Sequence, residues 1–117
     1  VTDPDATIAF FKLIGLEEVR RFSSEQGRFT LIFLAAPGQE GLAEVELTYN
    51  WGVDRYETGT GYGHIAIEVD DVFLATAEVR ERGGKILREA GPMNAGTTII
   101  AFIEDPDGYP IELIGGK

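Results

Sequence analysis

The feature that most constrains this chain is that it contains the same pattern twice. Val1-Thr2-Asp3 followed by a helical stretch ending near Gly15 has its counterpart in Val69-Asp70-Asp71 followed by a helical stretch closing at Gly83-Gly84. After each helix the chain turns β-rich, over 28–36 and 43–49 in the first half and over 97–104 and 109–114 in the second. The intervening turns are Pro37-Gly38-Gln39-Glu40-Gly41 and Asp105-Pro106-Asp107-Gly108, residues that fix or permit the dihedrals of tight turns. Each half therefore reads β, α, β, β, β, an α+β architecture of two modules, 1–50 and 64–117, joined by a linker over 51–63. That linker is polar and carries Gly52, Gly59, Gly61 and Gly63.

The helices follow from local signals. Asp3 and Asp5, like Asp70 and Asp71, stand where carboxylates accept orphan N–H bonds and meet the positive end of the helix dipole. Ile8, Phe11 and Ile14 form one apolar stripe, and Phe73, Ala77 and Val79 the other. Gly15 and Gly83 suit the closing residue of a helix.

The repeat also locates candidate chemistry. Val45-Glu46-Leu47 and Ile111-Glu112-Leu113 fall at matching places in the last strand of each half. Alternation along a strand puts Val45, Leu47 and Tyr49 on one side and Glu44, Glu46, Thr48 and Asn50 on the other. A lone strand glutamate is usually a solvated surface residue, but two at equivalent positions of a repeat point to a shared role. The single histidine, His64, opens the strand that leads to Val69. Its counterpart would lie five residues before Val1, and a chain that opens without Met is expected to have lost residues there. Packed as a pseudo-twofold sheet, the modules would bring His64, Glu46 and Glu112 onto one concave surface, an N/O donor set suited to Ni²⁺, Co²⁺, Zn²⁺, Mn²⁺ or Fe²⁺.

Composition removes other classes. With no cysteine among 117 residues, disulfides, thiolate nucleophiles and thiolate metal ligands are excluded. A net charge of −10 opposes binding to nucleic acid or anionic membrane surfaces, and no apolar run approaches the roughly 20 residues of a membrane-spanning helix. A cytoplasmic protein is the expectation. The glycine-containing loops 61–64 and 91–96 do not stand between a strand and a following helix, which argues against nucleotide binding. No Ser, His and Asp set can be assembled by spacing.

Three runs carry a family resemblance: Glu46-Leu47-Thr48-Tyr49-Asn50-Trp51-Gly52-Val53, Gly63-His64-Ile65-Ala66-Ile67, and Asp105-Pro106-Asp107-Gly108-Tyr109 with Ile111-Glu112-Leu113. With Glu89-Ala90-Gly91-Pro92 they resemble glyoxalase I of the vicinal oxygen chelate superfamily, along essentially the whole chain. The resemblance implies a homodimer with shared active sites and a divalent metal held by Glu46, His64, Glu112 and a first-strand residue outside this chain. Ni²⁺ or Co²⁺ is favoured, with Zn²⁺ as the alternative. It implies as substrate the hemithioacetal of methylglyoxal and glutathione, isomerised to S-lactoylglutathione, with Glu112 as base and Glu46 as ligand or second acid–base group. Asn50 matches a contact to the glutamyl part of glutathione, and Thr48 is expected beside it. Asn94 stands where bacterial relatives often carry a Lys, and the Arg expected just before Val1 lies outside the chain. The competing readings are a metal-free binder of the bleomycin-resistance type and a dioxygenase or epimerase of the same superfamily.

Overall fold

The computed structural model describes residues 1–115, so Gly116 and Lys117, the end of the expected second module, lie outside the described residues. The chain divides into two compact units, Val1–Glu57 and Thr58 onward. The first runs α1 (Pro4–Leu13), β1 (Glu17–Ser24), β2 (Phe29–Ala35) and β3 (Val45–Asn50), and the second β4 (Ile65–Val69), α2 (Val72–Glu81), β5 (Lys85–Pro92), β6 (Ile99–Glu104) and β7 (Pro110–Gly115). The second unit is thus the βαβββ module the repeat implies. The first runs in the same order from its helix onward, α, β, β, β.

Helix boundaries are set by the same devices in both units. Asp3 Oδ1 accepts from the Ala6 amide at 3.1 Å and Asp71 Oδ1 from the Leu74 amide at 3.0 Å. Asp5 sits inside the first turn of α1, whereas Asp70 lies before α2. At the other ends, Leu16 N donates to Phe11 O and Gly84 N to Val79 O, six residues spanned in each case, around Gly15 and Gly83 at φ +97° and +84°. A Cβ on Gly84 would come within 2.9 Å of the Val79 carbonyl oxygen, so this closure requires glycine.

The buried stripes are rotated from those the sequence suggested. On α1 the covered residues are Thr7, Phe10 and Phe11, with Ile14 just beyond, while Ile8 is only half-buried. On α2 they are Val72, Thr76 and Val79, whereas Phe73 is 56% exposed and Ala77 is exposed. The threonines explain the misreading. Thr7 and Thr76 return their hydroxyls to the carbonyls of Asp3 and Val72, at 3.0 and 2.6 Å, so each can be buried with its polar atom satisfied.

Sheet order is β1-β2-β3 in the first unit and β4-β7-β6-β5 in the second. All neighbours are antiparallel except β4 and β7, which run parallel. Alternate residues of β7 point into the core, with Ile111 and Leu113 essentially fully buried, as are Ile32 and Leu34 of β2. In the second unit α2 covers β5, β6 and β7. The opposite face of each sheet carries the candidate chemistry.

Candidate metal centre

The second unit brings two of the proposed ligands together. The turn after β6 does the positioning. Asp105 Oδ1 accepts from the amides of Asp107 and Tyr109, each at 2.9 Å, and Asp105 N donates to Tyr109 O at 3.0 Å around Gly108 at φ +91°. Burial pushes the Asp105 carboxyl above the usual aspartate range, against the pull of the Tyr109 and Asp107 amides. This closed turn fixes the β6–β7 register from Glu104↔Pro110 through Phe102↔Glu112. Because Ile111 and Leu113 are buried against the core, Glu112 must point to the other face, where its side chain is 16% exposed.

On the other flank of β7, β4 is held in parallel with Ala66 beside Glu112. His64, immediately before β4, reaches that carboxylate, with Nε2 and Glu112 Oε1 3.1 Å apart. The imidazole also meets the ring of Phe102 edge-on, with centroids 5.0 Å apart at 87°. Two residues upstream, Tyr62 packs edge-on against Tyr109 with centroids 4.9 Å apart, tying the approach to β4 to the Asp105–Tyr109 turn. Burial raises the Tyr62 hydroxyl above its ordinary range, with the Asp105 charge adding to the effect.

In the first unit Glu46, Thr48 and Asn50 follow one another on the same side of β3, as alternation predicts. Glu46 is exposed, and the Thr48 hydroxyl approaches its Oε2 at 3.4 Å. Asn50 Nδ2 donates to the Tyr56 hydroxyl at 2.9 Å. Facing Glu46 across the ladder is Phe33, and facing Phe33 is Arg20, whose guanidinium lies 4.2 Å from the ring centroid. The second unit repeats this row as Arg88, Phe102 and Glu112. Arg88, however, turns to backbone carbonyls, with NH1 donating to Ile100 O at 3.0 Å and NH2 to Pro92 O at 2.8 Å.

His64 and Glu112 therefore form a preassembled imidazole–carboxylate pair, a donor combination that suits a divalent ion. No group of three or more His, Asp or Glu that could hold a metal occurs within the described residues, and Glu46 stands in the other unit. Asn94 lies in the exposed turn between β5 and β6. Sequence reasoning missed Phe102, Phe33, Tyr62 and the two arginines. The apolar run Ile99-Ile100-Ala101-Phe102-Ile103 gives no alternation from which to assign a face, yet counting back from a closed Asp105–Gly108 turn would have paired Phe102 with Glu112.

Residues 1–113 match the model of the Glyoxalase/Bleomycin resistance protein/Dioxygenase superfamily. The lactoylglutathione lyase of Haemophilus influenzae is 51% identical over all of this chain and 87% of its own length. Glyoxalase I from Zea mays superposes with a TM-score of 0.90 at 44% identity over 97% of this chain, which spans only 41% of the maize one. The trypanothione-dependent glyoxalase I of Leishmania major gives a TM-score of 0.85 at 37% identity, over 98% of this chain and 80% of that one. With the repeated module, the parallel β4–β7 pair and the His64–Glu112 contact on the face away from α2, the chain belongs to the glyoxalase I family of this superfamily.

Proposed function

We propose that this chain is a metal-dependent lactoylglutathione lyase, isomerising the hemithioacetal of methylglyoxal and glutathione to S-lactoylglutathione. The observation that carries the reading is the His64–Glu112 pair, 3.1 Å apart, with Glu112 on the interior strand β7 and His64 just before its neighbour β4 in a glyoxalase fold. His64, Glu112 and Glu46 would hold the metal, with Ni²⁺ or Co²⁺ favoured over Zn²⁺. When bound, the metal supplies Lewis-acid stabilisation of the negative charge that develops on the two adjacent substrate oxygens.

The chain's own residues account for the proton movement. Glu112 takes the proton from C1, the carbon bonded to sulfur, and a proton is returned to C2. C1 rises from the aldehyde to the thioester oxidation level while C2 falls from ketone to alcohol, so no external redox partner is required. On the face of β7 opposite Ile111 and Leu113, the Glu112 carboxylate lies between Ala66 of β4 and Phe102 of β6, with its side chain 16% exposed, so a substrate on that face can reach it. Glu46 completes the ligand set or acts on the opposite face of the substrate. Asn50 and Thr48 bind the glutathione part, with Tyr56 holding one end of the Asn50 amide.

The protein acts as a cytoplasmic homodimer in which one protomer supplies Glu46 and its partner supplies the other two ligands, an isologous arrangement natural to a duplicated module. The test is an assay with methylglyoxal and glutathione, with and without added Ni²⁺, together with equilibrium dialysis against Ni²⁺. Metal-stimulated formation of the thioester is the expected result. Absence of both turnover and stoichiometric metal would favour a metal-free binder instead. Sedimentation tests the dimer, since a strictly monomeric protein with full activity would exclude shared sites.

A further inference from the structure

The same cross-strand row, Arg–Phe–Glu, occurs in both units, but the phenyl ring is engaged differently in each. In the first unit Arg20 occupies the ring of Phe33 at 4.2 Å. In the second, Arg88 is drawn away by four carbonyl oxygens, those of Glu89, Gly91, Ile100 and Pro92, at 3.5, 3.3, 3.0 and 2.8 Å. These bonds close the irregular stretch of β5 opposite Phe102, where the ladder shifts on both sides of Arg88. The ring of Phe102 is left to the His64 imidazole, which meets it almost perpendicularly.

We infer that Phe102 is a positioning residue: its ring fixes the orientation of the His64 imidazole so that Nε2 is presented beside Glu112 before any metal or substrate arrives. The physical reason is that His64 precedes the edge strand β4 and its side chain is 43% exposed, so the backbone and the core leave it free to rotate. A hydrogen bond to Glu112 restrains one ring nitrogen but leaves rotation about that bond open. A perpendicular aromatic contact restrains the ring plane as well. Phe102 is itself held on the interior strand β6, between Arg88 of β5 and Glu112 of β7, so the support is paired on both sides where the ligand is not. Outer contacts of this kind orient metal ligands and tune affinity without touching the metal.

The inference rests on the metal-site reading for its purpose but not for its test, because the ring contact between His64 and Phe102 can be measured without metal or substrate. His64 is the only histidine, so its ring signals in NMR spectra of a tag-free protein are unambiguous. In the wild type without metal, cross-relaxation between the His64 and Phe102 ring protons is expected, with His64 ring protons displaced from random-coil positions by the aromatic current. Phe102→Leu should abolish that displacement and weaken Zn²⁺ binding, measured by competition with a chromogenic chelator, by about three- to tenfold, the range an aromatic pair supports. Phe102→Tyr should retain both properties. Unchanged His64 signals and unchanged Zn²⁺ affinity in a folded Phe102→Leu protein would overturn the inference. Absence of the His64–Phe102 cross-relaxation in the wild type would overturn it whether or not the variant folds. If the ring contact is present and lost on substitution while the wild type turns over no methylglyoxal–glutathione adduct, the positioning stands and the lyase reading fails.

Discussion

The two units use one architectural plan but place its central carboxylate in different settings. β1-β2-β3 and β5-β6-β7 are equivalent antiparallel ladders, and Glu46 and Glu112 occupy equivalent places on their last strands. In the second unit β4 adds a parallel partner, so β7 is interior and Glu112 is flanked by Ala66 on one side and Phe102 on the other. In the first unit β3 pairs with β2, and Val1 donates from its N-terminal nitrogen to Thr48 O at 2.7 Å, at the position where Val69 runs beside the end of β7. The lesson is that equivalence in a repeat fixes where a side chain points, while the neighbouring strand decides whether it is sheltered and what meets it. Glu112 has an imidazole partner, whereas Glu46 is met by the hydroxyl of Thr48 two residues on.

If burial differs between the two strands as described, their leucines should differ too. Leu113→Ala removes a side chain with no exposed surface beneath α2, and is expected to cost about 4 kcal/mol in chemical denaturation. Leu47→Ala, at the equivalent place and 4% exposed, should cost less, about 2–3 kcal/mol. Equal losses would mean that the added strand does not deepen the core. The chemical comparison is sharper. Glu112→Gln should lower kcat by about 10²-fold or more while retaining metal, as loss of a general base requires. The same change at Glu46 should act more through metal affinity, so a larger kcat defect at Glu46 than at Glu112 would reverse the assignment of roles.

The turn that delivers Glu112 offers a third test. Asp105→Ala strips the amides of Asp107 and Tyr109 of their acceptor and should destabilise by about 1–3 kcal/mol, whereas Asp105→Asn keeps an acceptor oxygen and should cost less. Similar losses for both would show that the negative charge, not the acceptor, matters there.

The smallest expected effect is a difference in acid response between the units. In the first, hydrogen bonds from Arg21 and Arg20 hold the Glu18 and Glu44 carboxyls below the usual range. Their contribution to stability is present above the unfolded carboxylate values and is lost as pH falls through the lowered folded ones. In the second, burial raises Asp105, so ionisation opposes folding above that raised value and the penalty is relieved as pH falls. Residue-resolved hydrogen exchange along an acid series should therefore show protection fading first around β1 and later at the β6–β7 turn. The opposite order would contradict these directions.

Much of this protein can be read from its residues because the signals are local and repeated. Aspartates before the helices, glycines after them and Asp105-Pro106-Asp107-Gly108 mark boundaries by backbone chemistry alone, and the duplicated Val-Glu-Leu and Ile-Glu-Leu segments give the two carboxylates a common orientation. Helix faces were less legible. Thr7 and Thr76 are buried through bonds to their own helices, while the apolar Phe73 remains outside, and apolarity by itself gives no warning of either. The sequence by itself determined the α+β module, its duplication and the alternation that carries Glu46 and Glu112 to one side of their strands. Only tertiary structure decided that His64 meets Glu112, that Phe102 backs the imidazole and that Arg88 leaves that ring free. These contacts join residues up to 48 positions apart, and such closeness is set by strand register and packing rather than by any local preference of the chain.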